Sequence, residues 1–161
     1  MSEERGARSE GRGPGLVCAG VDRGTGPSLI AQAEAAGDRA AVVLAGPVSE
    51  AALLNLYRGA AVLVYPSRYE GFGLPILEAM QCGVPVVAAN SSSIPEVVGD
   101  AGLLIDPLDV SAWAAAIEGI LSHPPRAAVM RHASIKRAAA FSWDRTARET
   151  LAALRACAAA R

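Results

Sequence analysis

The sequence predicts an α/β fold, a Rossmann-like parallel sheet of about five strands with helices on both faces. Three observations point there. Short apolar runs alternate with longer helical stretches from Leu16 onward. The runs are continuous rather than alternating, as strands covered on both faces require. Ala makes up about a fifth of the 161 residues and aromatics only 4%, which favours helices over an all-β fold. Strand–helix alternation of this kind builds right-handed βαβ units.

In chain order, residues 1–15 are Gly, Ser, Arg and Glu without periodicity and read as a flexible leader. Residues 16–161 read as one domain. Its expected strands are Leu16–Gly20 (LVCAG), Ala41–Gly46 (AVVLAG), Ala61–Tyr65 (AVLVY), Val84–Ala88 (VPVVA) and Gly102–Ile105 (GLLI). Helices are expected near 28–36, 49–59, 74–82 and 94–98. Ser49 suits the N-cap of the second, with Glu50 in its first turn. Pro75 suits the first turn of the third, and Gly83 stands just past its end. Asp109 suits the cap of a helix that turns Trp113, Ile117, Ile120 and Leu121 inward. Tail helices are expected over about 124–160. Ser142 opens the last of them, which is expected to bury Leu151 and Leu154. No internal repeat of fixed period is present.

Hydrophobic residues form 52% of the chain and charged residues 19%, and mean hydropathy is +0.27. A disordered chain would be apolar-poor and highly charged. A formal charge of −1 gives no global attraction to nucleic acid, and the few aromatics exclude a base-stacking platform. The near-neutral total hides an asymmetry: residues 1–123 carry 7 Arg and 14 acids, whereas 124–161 carry 8 basic and 2 acidic residues. The basic end is read first as solvated surface helices, with peripheral contact to an anionic membrane or partner as the alternative. Cys18, Cys82 and Cys157 match no ligand spacing, and with His123 and His132 they make no metal constellation. Unpaired cysteines, the absence of a signal peptide and the absence of a membrane-length apolar run lead to an expected cytoplasmic location.

In open α/β sheets, ligands bind beyond the carboxyl ends of the strands. The loop Pro66–Gly83, PSRYEGFGLPILEAMQCG, lies at such an end. Gly71 and Gly73 let the backbone approach a ligand, and the helix beginning at Leu74 or Pro75 offers free N–H groups at a positive dipole end. That suits a phosphate or diphosphate. Glu70 and Glu78 flank the turn. Beside an anion, carboxylates are suited to accept hydrogen bonds from hydroxyls on either side of it, a sugar on one and a ribose on the other. Read from the residues alone, the same turn also fits a purely structural strand–helix connection with Glu near a helix start.

The stretch YEGFGLPILEAMQCGVPVVAANSSSIPEVVGDAGLLIDP closely resembles the donor-binding half of the family 4, or group 1, retaining glycosyltransferases, one half of a GT-B architecture. Their signature is two Glu separated by seven residues, matched by Glu70 and Glu78 together with Gly71, Phe72, Gly73, Leu74 and Pro75. The likeness extends to LYRGA (Leu56–Ala60), SSIPEVVGDAG (Ser92–Gly102), Asp106–Pro107 and Phe141–Trp143. It implies that Glu70 holds hydroxyls of the transferred sugar, making it the best candidate near the chemistry, in a positioning role. It also implies that Glu78 binds the nucleotide ribose. By the same likeness, N–H groups around Phe72, Gly73 and Leu74 meet the sugar and diphosphate, and Gly46, Pro47 and Val48 read the nucleobase. The turn after Gly20 (GVDRGTG) matches a phosphate-facing turn less closely. Arg68 and Ser91–Ser93 are secondary candidates, for diphosphate and donor respectively. The resemblance implies transfer from a nucleotide sugar with retention, and neither metal nor cofactor.

The sequence departs from the family pattern in one respect. The family's donor domain opens with a further strand, mid-sheet, and a loop whose Arg and Lys clamp the diphosphate. Here residues 1–15 hold no strand-like run, and the single lysine, Lys136, lies in the tail. The strands at Leu16–Gly20 and Ala61–Tyr65 are therefore expected either to pair directly or to leave a gap that another chain fills. Two functional readings follow. One is a donor-binding glycosyltransferase domain working with a separate N-terminal acceptor domain or through self-association. The other is a non-catalytic nucleotide-sugar-binding or interaction module of the same fold.

Overall fold

A computed structural model describes residues 15–159; the leader expected over 1–15 lies almost wholly outside them. The chain divides into two compact units after Leu53. The first holds β1 (Leu16–Ala19), α1 (Gly26–Ala35), a 3-10 turn at Arg39–Ala41 and β2 (Val42–Gly46). Helix α2 (Glu50–Gly59) runs across the division, capped by Ser49, whose hydroxyl accepts from the Ala52 N–H at 3.3 Å. The second unit continues with β3 (Leu63–Tyr65), α3 (Leu74–Gln81), β4 (Val86–Ala89), α4 (Ile94–Val98), a 3-10 turn at Gly99–Ala101, β5 (Leu103–Ile105), α5 (Val110–Leu121), α6 (Pro124–Ala138) and α7 (Trp143–Ala159).

All five strands and the four helices expected between them form, with ends shifted by a residue or two. The strands are parallel throughout but fall into two sheets, β1–β2 in the first unit and β3–β4–β5 in the second. Leu16 pairs with Val42, Leu63 with Val86, and Val87 with Leu103. Among the described residues β1 and β3 do not pair directly, and the strands form two ladders rather than the single five-stranded sheet expected.

In the second unit, β4 fulfils the expectation of a strand covered on both faces: Val86, Val87, Ala88 and Ala89 are all fully buried. Ile76 and Met80 of α3, Ile94 and Val98 of α4, Trp113 and Ile120 of α5, and Met130 of α6 complete the core around it. Each fully buried aliphatic side chain of this kind contributes about 1.5–3 kcal/mol. Of the face expected on α5, Trp113 and Ile120 are buried, whereas Ile117 and Leu121 are half-exposed and Ala116 is buried in their place; Asp109 caps the helix by accepting from the Ala112 N–H at 2.9 Å. Trp113 is further fixed by its indole N–H, which donates to the Asp106 carbonyl at 3.0 Å.

Two expectations are corrected. β1 and β2 are continuous apolar runs, yet Leu16, Val17, Val43 and Leu44 are 40–51% exposed, because the crossover between them supplies just one α-helix, α1, and a short 3-10 turn, and a two-stranded sheet is marginal without more to cover it. Leu151 and Leu154 of α7 are 47% and 63% exposed rather than buried. Periodicity identified a helix with an apolar face there, but among the described residues nothing covers that face.

Candidate functional site

The site is built where β3 hands over to α3. Gly73, the residue before α3, has φ +97° and ψ 44°, a left-handed conformation that a Cβ would strain. It turns the chain so that the Ile76 and Leu77 N–H groups donate to the Gly73 carbonyl at 3.0 and 3.4 Å. Pro75 sits in the first turn, where its missing N–H costs nothing. Buried Ile76 and Leu77 anchor the turn below. The N–H groups of Gly71, Phe72, Gly73 and Leu74 have no acceptor among the described residues. They stand at the positive end of α3, free for an anion.

Both predicted carboxylates flank this turn, and each is held by a tyrosine. The Tyr65 hydroxyl, at the end of β3, donates to Glu70 Oε1 at 2.6 Å. The Tyr57 hydroxyl, on α2, donates to Glu78 Oε2 at 3.0 Å. Burial first, then the hydrogen bond and charge of Glu78, raise the Tyr57 pKa above its ordinary 10.0. Burial first, then the Glu70 hydrogen bond and the charges of Glu70 and Glu78, do the same to Tyr65. The Tyr65 hydroxyl is thus acted on by the charge of both carboxylates. Glu70 is half-buried and Glu78 exposed, so both retain acceptor capacity towards a ligand.

The tyrosines were not singled out in the sequence. Tyr65 is visible there only as the last residue of an apolar strand, five before Glu70. Tyr57 lies within LYRGA, 21 residues from its partner, a separation that no local pattern reveals. Because their folded-state pKa values lie above the unfolded 10.0, the folded protein holds these protons more tightly. Their contribution is complete below pH 10 and is lost as pH rises through the folded values. Thermal melts should therefore fall as pH passes 10, and fall less in a Tyr57→Phe/Tyr65→Phe variant; parallel curves would contradict the assignment.

The other predicted residues divide. Phe72 is fixed edge-on against Phe141, with ring centroids 6.0 Å apart, a contact of about 0.5–1.5 kcal/mol beyond area burial. Arg68 is exposed and its carbonyl accepts from the Ser91 hydroxyl. Ser92 and Ser93 bond to the Glu70 backbone. Gly46, Pro47 and Val48 leave β2 in the first unit, where Gly20 leaves β1 and donates its N–H to the Gly46 carbonyl at 2.8 Å.

The GVDRGTG turn differs from a free phosphate turn in that a side chain already fills it. Asp22 Oδ1 accepts from the N–H groups of Gly24, Thr25 and Gly26 at 2.9, 3.0 and 3.1 Å. Those hydrogen bonds, Gly26's first, hold the Asp22 carboxyl below its ordinary value of 3.8. Gly26 is needed for this packing: a Cβ there would press on the Asp22 carboxylate and lie 2.8 Å from Leu44 Cδ1. A depressed carboxyl stabilises above its unfolded pKa and ceases to as pH falls through the folded one. Asp22→Ala should lower the melting temperature at neutral pH, with the deficit shrinking below pH 3.8; a deficit independent of pH would refute the capping role.

In the basic tail, Arg137 is engaged by the protein itself. The Arg137 guanidinium donates to the Val97 carbonyl at 2.9 Å and to the Glu96 carbonyl, capping the end of α4, and lies 5.1 Å from the Phe141 ring centroid. Lys136 is exposed. Among the described residues no group of three or more His, Cys, Asp or Glu is placed to hold a metal, and no helix is long and apolar enough to cross a membrane.

The family model for glycosyl transferases group 1 matches residues 11–137. The chain is similar to the O-antigen chain mannosyltransferase B of Escherichia coli, 49% identical over 106 residues, covering 66% of this chain and 28% of that protein. It is 40% identical over 147 residues to the D-inositol 3-phosphate glycosyltransferase of Mycobacterium avium (strain 104), covering 87% of this chain and 35% of that one. It thus spans about a third of the length of these relatives. Among solved structures, sucrose-phosphate synthase from Thermosynechococcus elongatus superposes with a TM-score of 0.77 at 31% identity, over 91% of this chain and 39% of that one. Anabaena HepE in complex with UDP shares the fold at a TM-score of 0.76 and 22% identity, over 89% and 41%. With the family model spanning most of the sequence, and relatives of this identity along nearly all of it, the chain belongs to the group 1 glycosyl transferases.

Proposed function

We propose that this chain binds the donor in a glycosyltransferase, holding a nucleotide sugar over the α3 turn while the sugar passes, with retention, to an acceptor bound by a separate domain. The observation that carries the reading is the row of unengaged N–H groups from Gly71 to Leu74, set between two tyrosine-held carboxylates. The N–H groups and helix dipole receive the diphosphate, Glu78 the ribose hydroxyls and Glu70 the sugar hydroxyls. Breaking the bond between the anomeric carbon and the diphosphate oxygen leaves the electron pair on the diphosphate and positive character on the sugar. The acceptor oxygen forms the new bond and gives its proton to the departing diphosphate oxygen. Fixed N–H dipoles at the leaving oxygens stabilise that charge without reorganising, the most effective form of electrostatic catalysis. In this reading no metal takes part.

Calorimetric titration with UDP-, GDP- and ADP-linked hexoses tests the proposal. One of the three is expected to bind, and donor hydrolysis by this chain alone is expected to be very slow. Failure of all three to bind would overturn the reading, and rapid turnover would overturn the need for a separate acceptor domain.

A further inference from the structure

The serine triplet Ser91–Ser92–Ser93 follows β4, some 20 residues after the donor turn, and closes on that turn from outside it. The Ser92 hydroxyl accepts from the Glu70 N–H at 3.3 Å and donates to the Glu70 carbonyl at 2.7 Å. The Ser93 hydroxyl donates to the same carbonyl at 2.9 Å, and the Ser91 hydroxyl donates to the Arg68 carbonyl. Both lone pairs of the Glu70 carbonyl are thereby engaged, together with its N–H. Ser92 holds this pose at φ +56°, the only residue other than glycine with positive φ among those described. That is a left-handed conformation glycine would adopt freely and a side chain does not favour. A residue kept there despite its Cβ points to its hydroxyl as the reason.

We propose that Ser92, supported by Ser93, is a positioning residue that fixes the Glu70 peptide so that its carboxylate meets the transferred sugar. The inference rests on Glu70 being the sugar-binding carboxylate. The backbone of Glu70 is fixed by the serines and its Oε1 by Tyr65, leaving Oε2 to turn towards a hydroxyl of the ligand. Discrimination between a nucleotide sugar and the bare nucleotide then depends on residues of the β4–α4 loop that need not touch the sugar.

The test uses the full chain and whichever of the UDP-, GDP- and ADP-linked hexoses binds tightest, against its parent nucleoside diphosphate. Ser92→Gly removes the hydroxyl and relieves the backbone; Ser92→Ala removes the hydroxyl and retains the Cβ that strains the left-handed pose. Both are expected to lose about tenfold in affinity for the nucleotide sugar, as loss of a hydrogen bond to a charged group would, with the nucleoside diphosphate unchanged. A loss confined to Ser92→Ala would assign the effect to backbone strain and overturn the proposal, as would an equal loss for both ligands. A second readout needs no ligand. In a Tyr57→Phe/Tyr69→Phe background, which leaves Tyr65 as the single tyrosine, ultraviolet titration should show Tyr65 ionising at lower pH once Ser92→Gly frees Glu70 to swing away, whereas an unmoved titration would overturn the positioning role. Glu70→Ala separates the two claims. If it leaves the preference for the nucleotide sugar intact, the sugar assignment fails, and the Tyr65 titration still decides the role of Ser92.

Discussion

Glu78→Ala is expected to weaken binding of nucleotide sugar and nucleoside diphosphate alike, by about tenfold to a hundredfold, the worth of hydrogen bonds to a charged acceptor. The equality is what identifies the ribose, because both ligands carry it and only one carries the hexose. Tyr57→Phe should have a smaller effect in the same direction, since it removes the hydroxyl that holds Glu78 Oε2 at 3.0 Å but leaves the carboxylate. Calorimetry on the two variants with both ligands checks this. A Glu78→Ala chain that binds both as tightly as the unsubstituted one would remove the ribose from this position.

The largest stability effect is expected from Ile76→Ala. Ile76 is fully buried in the first turn of α3 and packs among the core residues of β4 and α4. Its truncation removes apolar contact and leaves a cavity beneath the donor turn, a loss of about 2–5 kcal/mol. At about 2–4 °C per kcal/mol for a domain of this size, the melting temperature should drop by roughly 4–20 °C. Thermal unfolding followed by circular dichroism checks it, and a shift of only a degree or two would mean that α3 is not anchored through this residue. Since the same residue supports the Gly73 turn, donor affinity measured well below the melting point should fall as well.

The sequence made the elements legible because their signals are local. Continuous apolar runs mark β3, β4 and β5, and Ser49 and Asp109 mark helix starts by side-chain capping. The candidate turn was legible for the same reason, since Glu70, Gly71, Gly73 and Glu78 are read within nine residues. Contacts that no local pattern carries depend on partners far away in the chain. The serines reach Glu70 across 22 and 23 residues, and Arg137 reaches Val97 across 40. The glycines of GVDRGTG carry the pattern of a phosphate turn, while Asp22 beside them already fills it. The apolar faces of β1, β2 and α7 have the pattern of buried surface, but burial requires something to cover them, and periodicity does not say what that is.

A crystal structure of this chain with a nucleotide sugar bound tests the central claim most directly. The account predicts ribose hydroxyls on the Glu78 carboxylate, hexose hydroxyls on Glu70, and diphosphate oxygens against the N–H groups of Phe72 to Leu74. A nucleotide sugar seated elsewhere, with Glu70 and Glu78 still engaged only by Tyr65 and Tyr57, would contradict it.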